Sequence, residues 1–90
     1  MRFEWDPKKA ATNLKKHGVT FQEAATVFGD PLAITFQDPD HSGEEERHES
    51  FGLSIHKRLI VVSHTERKDR TRIISARLMD RKERVIYEEG

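Results

Sequence analysis

A chain of 90 residues with 16 Lys/Arg, 16 Asp/Glu and no cysteine has room for one small domain, 1–90, built on a modest core. The missing thiols exclude a disulfide framework and a thiolate metal site, which fits a reducing compartment. No apolar stretch approaches the roughly 20 residues that span a bilayer, and no signal-peptide core opens the chain, so a cytoplasmic protein is expected.

Phe3-Glu4-Trp5 alternates as a short strand does. Asp6 is a good N-cap and Pro7 suits the first helical position, so a helix runs from there to Gly18, with Ala10, Ala11 and Leu14 on its apolar stripe. Thr20 and Glu23 have capping-box spacing and start a second helix, whose face is Phe21, Ala24, Ala25 and Phe28. Gly29-Asp30-Pro31 stops it. Leu32, Ile34 and Phe36 then mark a strand with one buried face, followed by a polar loop from Asp38 to Glu45.

Three further strands are expected over Arg47–Ile55, Leu59–Thr65 and Thr71–Arg77. Their short connections favour an antiparallel meander. The continuous apolar runs Leu59–Val62 and Ile73–Ile74 place two of them centrally, covered on both faces. A last helix, Met79 to Glu89, is expected to bury Leu78, Met79, Val85 and Ile86. The fold class is therefore α+β: a small antiparallel sheet with two N-terminal helices and a C-terminal helix.

The charge is divided along the chain. Residues 1–55 hold six Lys/Arg against ten Asp/Glu, whereas residues 56–84 hold ten against four. A basic half attracts phosphate, although a charged, solvated surface explains it equally well. The run Val62 to Arg77 concentrates His64, Glu66, Arg67, Arg70, Arg72 and Arg77 around one tight turn between two apolar strands, which makes RNA the first ligand to consider.

Strict alternation puts His64 on the side of Ile60 and Val62. It also sets Arg72 and Arg77 on opposite faces unless a bulge re-aims one of them. Surface pairing with Glu66, Asp69 or Glu83 is the competing account of both arginines. Tyr87 lies off the apolar stripe of the last helix, beside Asp80, Glu83 and Arg84, and either presents its hydroxyl to a cleft or packs over a helix end.

His17 reads as a helix cap, and Glu44-Glu45-Glu46 as an acidic loop. Asp38, Asp40, His41 and His48 lack an established ligand pattern, so neither metal nor other cofactor is expected. No glycine-rich phosphate loop, Ser/His/Asp arrangement or zinc signature is present.

Three segments together carry a resemblance: FEWDPKKAATNLKKHGVTFQEAATVFGDP, the loop residues Asp38 and His41, and HTERKDRTRIISARLMDRKERVIYEE. The chain resembles the BrnT toxins of bacterial BrnT/BrnA type II toxin–antitoxin systems over about residues 3–89. The resemblance implies a compact RelE-like ribonuclease fold and an endoribonuclease that slows translation and growth. It also implies a cognate BrnA-like antitoxin, which carries the DNA-binding domain of the complex. Functional positions carry over to the His64–Arg77 block, Glu83 and Tyr87.

Metal-independent RNA cleavage needs a base for the 2′-hydroxyl, cations for the developing phosphorane charge and an acid for the leaving 5′-oxygen. His64 or Glu66 is the candidate base. Arg67, Arg72 or Arg77 is the candidate charge stabiliser, and Tyr87 or His64 the candidate acid. The competing class is a non-catalytic basic module that binds RNA or protein, recognisable by stoichiometric action and steep salt dependence. A purely structural interaction protein ranks last, because it leaves the arginine-rich block idle. The antitoxin is expected to cover the basic face.

Overall fold

In the computed structural model, which describes residues 1–38 and 46–90, the chain runs β1 (Arg2–Glu4), α1 (Pro7–His17), α2 (Phe21–Thr26), a 3₁₀ turn at Val27–Gly29, β2 (Ile34–Gln37), β3 (Arg47–Leu53), β4 (Leu59–Arg67), β5 (Arg70–Leu78) and α3 (Arg81–Glu89). The expected polar loop falls largely on residues 39–45, outside the described ones, and with it Asp40, His41, Glu44 and Glu45.

The five strands form one sheet in the order β1-β5-β4-β3-β2. Strands β2 to β5 are the expected antiparallel meander. The sheet is nevertheless mixed, because β1 adds to the outer edge of β5 in parallel, Arg2 opposite Arg70 and Glu4 opposite Arg72. The helical segment between β1 and β2 then carries the chain across one face to the opposite edge.

Local chemistry sets the helix ends. Asp6 Oδ1 accepts the Lys8 N–H at 2.8 Å, and Gly18 takes the left-handed conformation (φ 69°) while its N–H closes on the Leu14 carbonyl. Thr20 Oγ1 accepts the Glu23 N–H at 3.0 Å. The reciprocal half of that capping box is absent, because the Glu23 carboxylate turns inward to Arg58 and Ser54. A complete box occurs at α3, where Asp80 and Glu83 cap each other's backbone N–H. Asp80 is thus the N-cap, so α3 starts at Arg81 rather than at Met79.

Two apolar clusters sandwich the sheet. Under α1 and α2 lie Val19, Phe21, Ala24 and Val27, packed on Ile60, Val62, Ile73 and Ala76; burying one side chain of Phe21's size contributes about 2–3 kcal/mol. On the other face Phe51, Val61 and Met79 meet Leu59 and Tyr87. Val61 is thereby covered opposite Ile60 and Val62, which makes β4 central as its apolar run implies.

Some expected apolar positions are exposed. Leu78, Val85 and Ile86 lie 45–48 % open, and α3 buries no residue. Tyr87 is its apolar contact with the sheet, and the pairs Arg77–Glu83 and Tyr87–Asp30 add polar anchors. Leu32 and Ile55 fall just outside their strands, because the Asp30 and Thr26 side chains take their N–H groups.

In α1, Ala11 and Leu14 face solvent, and the buried residue is Asn13. Its amide donates to the carbonyls of Val19 (3.0 Å) and Ala76 (2.8 Å), and its oxygen accepts the Ala76 N–H (3.0 Å). The helix packs beside β5 beyond the reach of β1, where backbone groups need partners.

Candidate active site

A register shift decides which side chains meet. Val61 stands opposite Arg77 and Ser63 opposite Ser75, but His64 stands opposite Ile73, so Ile74 is bulged out of the ladder. Directly opposed residues share a face. Arg72 (opposite Thr65) and Arg77 (opposite Val61) therefore both point to the face covered by α3. His64 and Glu66 lie on the other face, beneath the 3₁₀ turn. The bulge unites the two arginines and separates them from the histidine.

On the His64 face, antiparallel pairing of β3 with β4 sets His48 opposite His64, their rings stacked with centroids 5.7 Å apart. Phe28 meets the His64 ring edge-on at 4.8 Å. A carboxylate only accepts hydrogen bonds, so His64 Nδ1–H donates to Glu66 Oε2 (3.2 Å) and Thr71 donates to Glu66 Oε1 (3.0 Å). His64 Nε2 then accepts from Ser50 Oγ at 2.8 Å, and Ser50 contacts Thr35 Oγ1 at 2.7 Å. Burial pushes the His64 imidazole below its usual range, against the opposing pull of Glu66, which favours the neutral ring.

The order Ser50–His64–Glu66 repeats the hydroxyl–imidazole–carboxylate connectivity of nucleophilic hydrolases. Ser50 is only 1 % exposed, so the array orients His64 rather than arming a nucleophile. Glu66 is the open end of the array, its side chain 53 % exposed. It lines a hollow of about 280 Å³ with Met1, Phe28, Thr35, His48 and His64. It also borders a second hollow of about 600 Å³ at the β4–β5 hairpin, with Glu4, Arg67, Lys68, Asp69 and Arg70. The hairpin turns in two residues, Lys68 taking the left-handed conformation (φ 51°).

The remaining expected site residues lie apart from His64. Arg72 Nη1 binds Glu4 Oε2 at 2.8 Å, and Arg67 reaches the same oxygen at 4.0 Å. Arg77 grips Glu83 with both terminal nitrogens, at 2.6 and 2.7 Å. Tyr87 donates its hydroxyl to Asp30 Oδ2 at 2.6 Å, a bond that pushes its own pKa up to about 12. Among the described residues no acidic or histidine cluster fits a metal ion.

The family described as the ribonuclease toxin, BrnT, of type II toxin–antitoxin systems matches residues 5–83. The chain belongs to the BrnT family. The fold is also that of the Brucella abortus ribonuclease toxin, BrnT, whose crystal structure superposes with a TM-score of 0.71 at 23 % identity, over 90 % of this chain and 99 % of that one. Among curated proteins no sequence matches significantly.

Within this BrnT chain the linear sequence conceals Thr35, His48, Ser50 and Thr71 as neighbours of His64 and Glu66. His48 and His64 are 16 positions apart, and only the β3–β4 register makes them opposite. The one legible signal is parity: His48 and Ser50 alternate on one face of β3, as His64 and Glu66 do on β4.

Proposed function

We propose that this chain is the toxin of a type II toxin–antitoxin pair, an endoribonuclease that cleaves RNA by metal-independent acid–base catalysis and so inhibits translation and growth. The observation that carries the reading is the position of Glu66. It is a half-exposed carboxylate that borders a histidine-lined pocket on one side and the cations of the hairpin on the other.

In this reading Glu66 takes the proton of the 2′-hydroxyl. The 2′-oxygen forms a bond to phosphorus, the bond from phosphorus to the 5′-oxygen breaks, and a donor in the pocket protonates that oxygen. The products are a 2′,3′-cyclic phosphate and a 5′-hydroxyl, and DNA is spared for want of the attacking group.

His64, oriented by Ser50, holds Glu66 by its Nδ1–H. His48 lines the pocket with a buried Nδ1 that finds no partner among the described residues, and is the acid that fits. Arg67, with Lys68 and Arg70, carries the phosphate charge. Arg72 supports Arg67 through their shared carboxylate, Glu4. Arg77 and Tyr87 act indirectly, as the two ends of the latch that fixes α3.

The cognate antitoxin is BrnA-like and contributes any DNA contact of the complex. It neutralises the toxin by covering the hairpin cations. The test is incubation of folded protein with 5′-labelled RNA in excess EDTA. Multiple-turnover fragments with cyclic-phosphate ends are expected, with Glu66→Gln and His48→Gln each slowed on the order of 10²–10⁴-fold. Intact RNA, with and without translating ribosomes, overturns the reading in favour of a stoichiometric RNA-binding module.

A further inference from the structure

Helix α1 carries Lys8, Lys9, Lys15, Lys16 and His17 and no acidic residue. Lys8, Lys9, Thr12 and Lys16 recur on one side of the helix. With Asn13 and His17 they wall a hollow of about 300 Å³, floored by Ile74 and Ser75 of β5. The bulge that displaces Ile74 from the ladder thus also shapes this floor.

Three features separate the groove from an ordinary solvated face. The first is pairing. Arg2, Arg58, Arg67, Arg70, Arg72 and Arg77 each meet a carboxylate. Among the described residues no α1 lysine makes an ion pair; Arg81, Lys82 and Arg84 of α3 share that state, but the α1 lysines border a hollow whose described lining holds no carboxylate.

The second is position. Lys8 and Lys9 stand in the first helical turn, where the macrodipole favours acids and disfavours cations. The Asp6 N-cap offsets part of that cost, yet two cations are still placed where acids are favoured, as happens where function overrides a local rule. The third is shape, because the lysines border a concavity that a strand can occupy.

We infer that this groove is a second phosphate-binding subsite, which holds the RNA substrate by its phosphodiester backbone away from the Glu66 pocket and without regard to base identity. The inference rests on the ribonuclease reading. Lysine is a compact charge on a flexible stem and suits phosphate contacts that position a strand without reading it. The Thr12 and Ser75 hydroxyls add donors of the kind found at phosphates. An acidic protein partner fits less well: protein interfaces are depleted in lysine and anchored by aromatic residues or arginine, whereas among the described residues the only apolar one lining this groove is Ile74.

The test compares the full chain with its K8Q/K9Q/K16Q variant, all three positions being exposed. Affinity for a non-cleavable 2′-O-methyl RNA and cleavage of unmodified RNA are measured separately across a salt series. Removing three contacts should weaken binding at low salt on the order of tenfold or more. It should also flatten the plot of log affinity against log salt by about 2 units, at roughly 0.7 per phosphate for a single strand. KM should rise in parallel while kcat holds.

Unchanged affinity and salt slope overturn the subsite. Loss of antitoxin binding with RNA affinity intact assigns the groove to a protein partner, and overturns it too. Wild-type protein that binds RNA through these lysines yet never cleaves it sinks the ribonuclease reading while leaving the subsite standing.

Discussion

Asn13 binds Ala76 as a neighbouring strand would, accepting its N–H and donating to its carbonyl across 63 positions of sequence. A single amide thereby completes the edge of β5 where β1 ends.

Asn13→Ala should cost about 3 kcal/mol, since it strands the N–H and carbonyl of Ala76 and the carbonyl of Val19 in a buried setting. Asn13→Asp should rescue little, because a carboxylate repels both carbonyls. Urea denaturation of the two variants measures this, and full stability of Asn13→Asp would contradict it.

Acid should weaken the fold through Glu23. Hydrogen bonds from Arg58 hold this carboxyl down to about 2 from 4.5, against the contrary effect of its burial. A depressed carboxyl pKa gives stability that is whole above pH 4.5 and is lost as pH falls toward 2. Arg58 is more than a third exposed, so the discounted contribution is about 1–2 kcal/mol. Glu23→Gln should be less stable at pH 7 and flatter in stability between about pH 4.5 and 2, read from urea midpoints.

His64 adds a second acid-side limb. Its folded pKa lies below 6.5, chiefly through burial, so the unfolded chain binds the proton more readily. Stability is complete above pH 6.5 and declines as pH falls through that value toward the lower folded one. His64→Asn should remove this dependence below about pH 6.5, as urea midpoints followed from pH 7 downward will show.

Arg77 and Glu66 should separate stability from cleavage. Arg77→Met breaks a bidentate, half-buried pair and should cost about 1–2 kcal/mol, discounted for exposure, while leaving RNA cleavage within about threefold. Glu66→Gln should do the reverse. Abolished cleavage in a folded Arg77→Met protein would return Arg77 to the chemistry.

Gly52→Ala should destabilise by about 1–3 kcal/mol. A Cβ there would sit 2.7 Å from Val27 Cγ1 and 3.2 Å from Ala33 Cβ, and Val27 is fully buried, so making space disturbs the core. A melting temperature lowered on the order of 10 °C is expected.

The sequence by itself determined what short-range physics dictates. Asp6-Pro7 and Gly18 bound α1 because capping and left-handed backbone preferences act within a few residues. The alternation of β3 and the apolar runs of β4 and β5 specified a meander with two central strands. The clustering of His64, Glu66 and Arg67 at one hairpin was legible because neighbours in a turn are neighbours in space.

Tertiary structure decided the rest. Whether Arg72 and Arg77 share a face depended on one bulged residue, Ile74, which turns every side chain beyond it to the other side. His48 and Ser50 joined His64 only through the β3–β4 register. The parallel seat of β1, the inward turn of Asn13 and the exposed apolar side of α3 all follow from which edges and faces were left to cover, and this is settled by the packing of the whole chain.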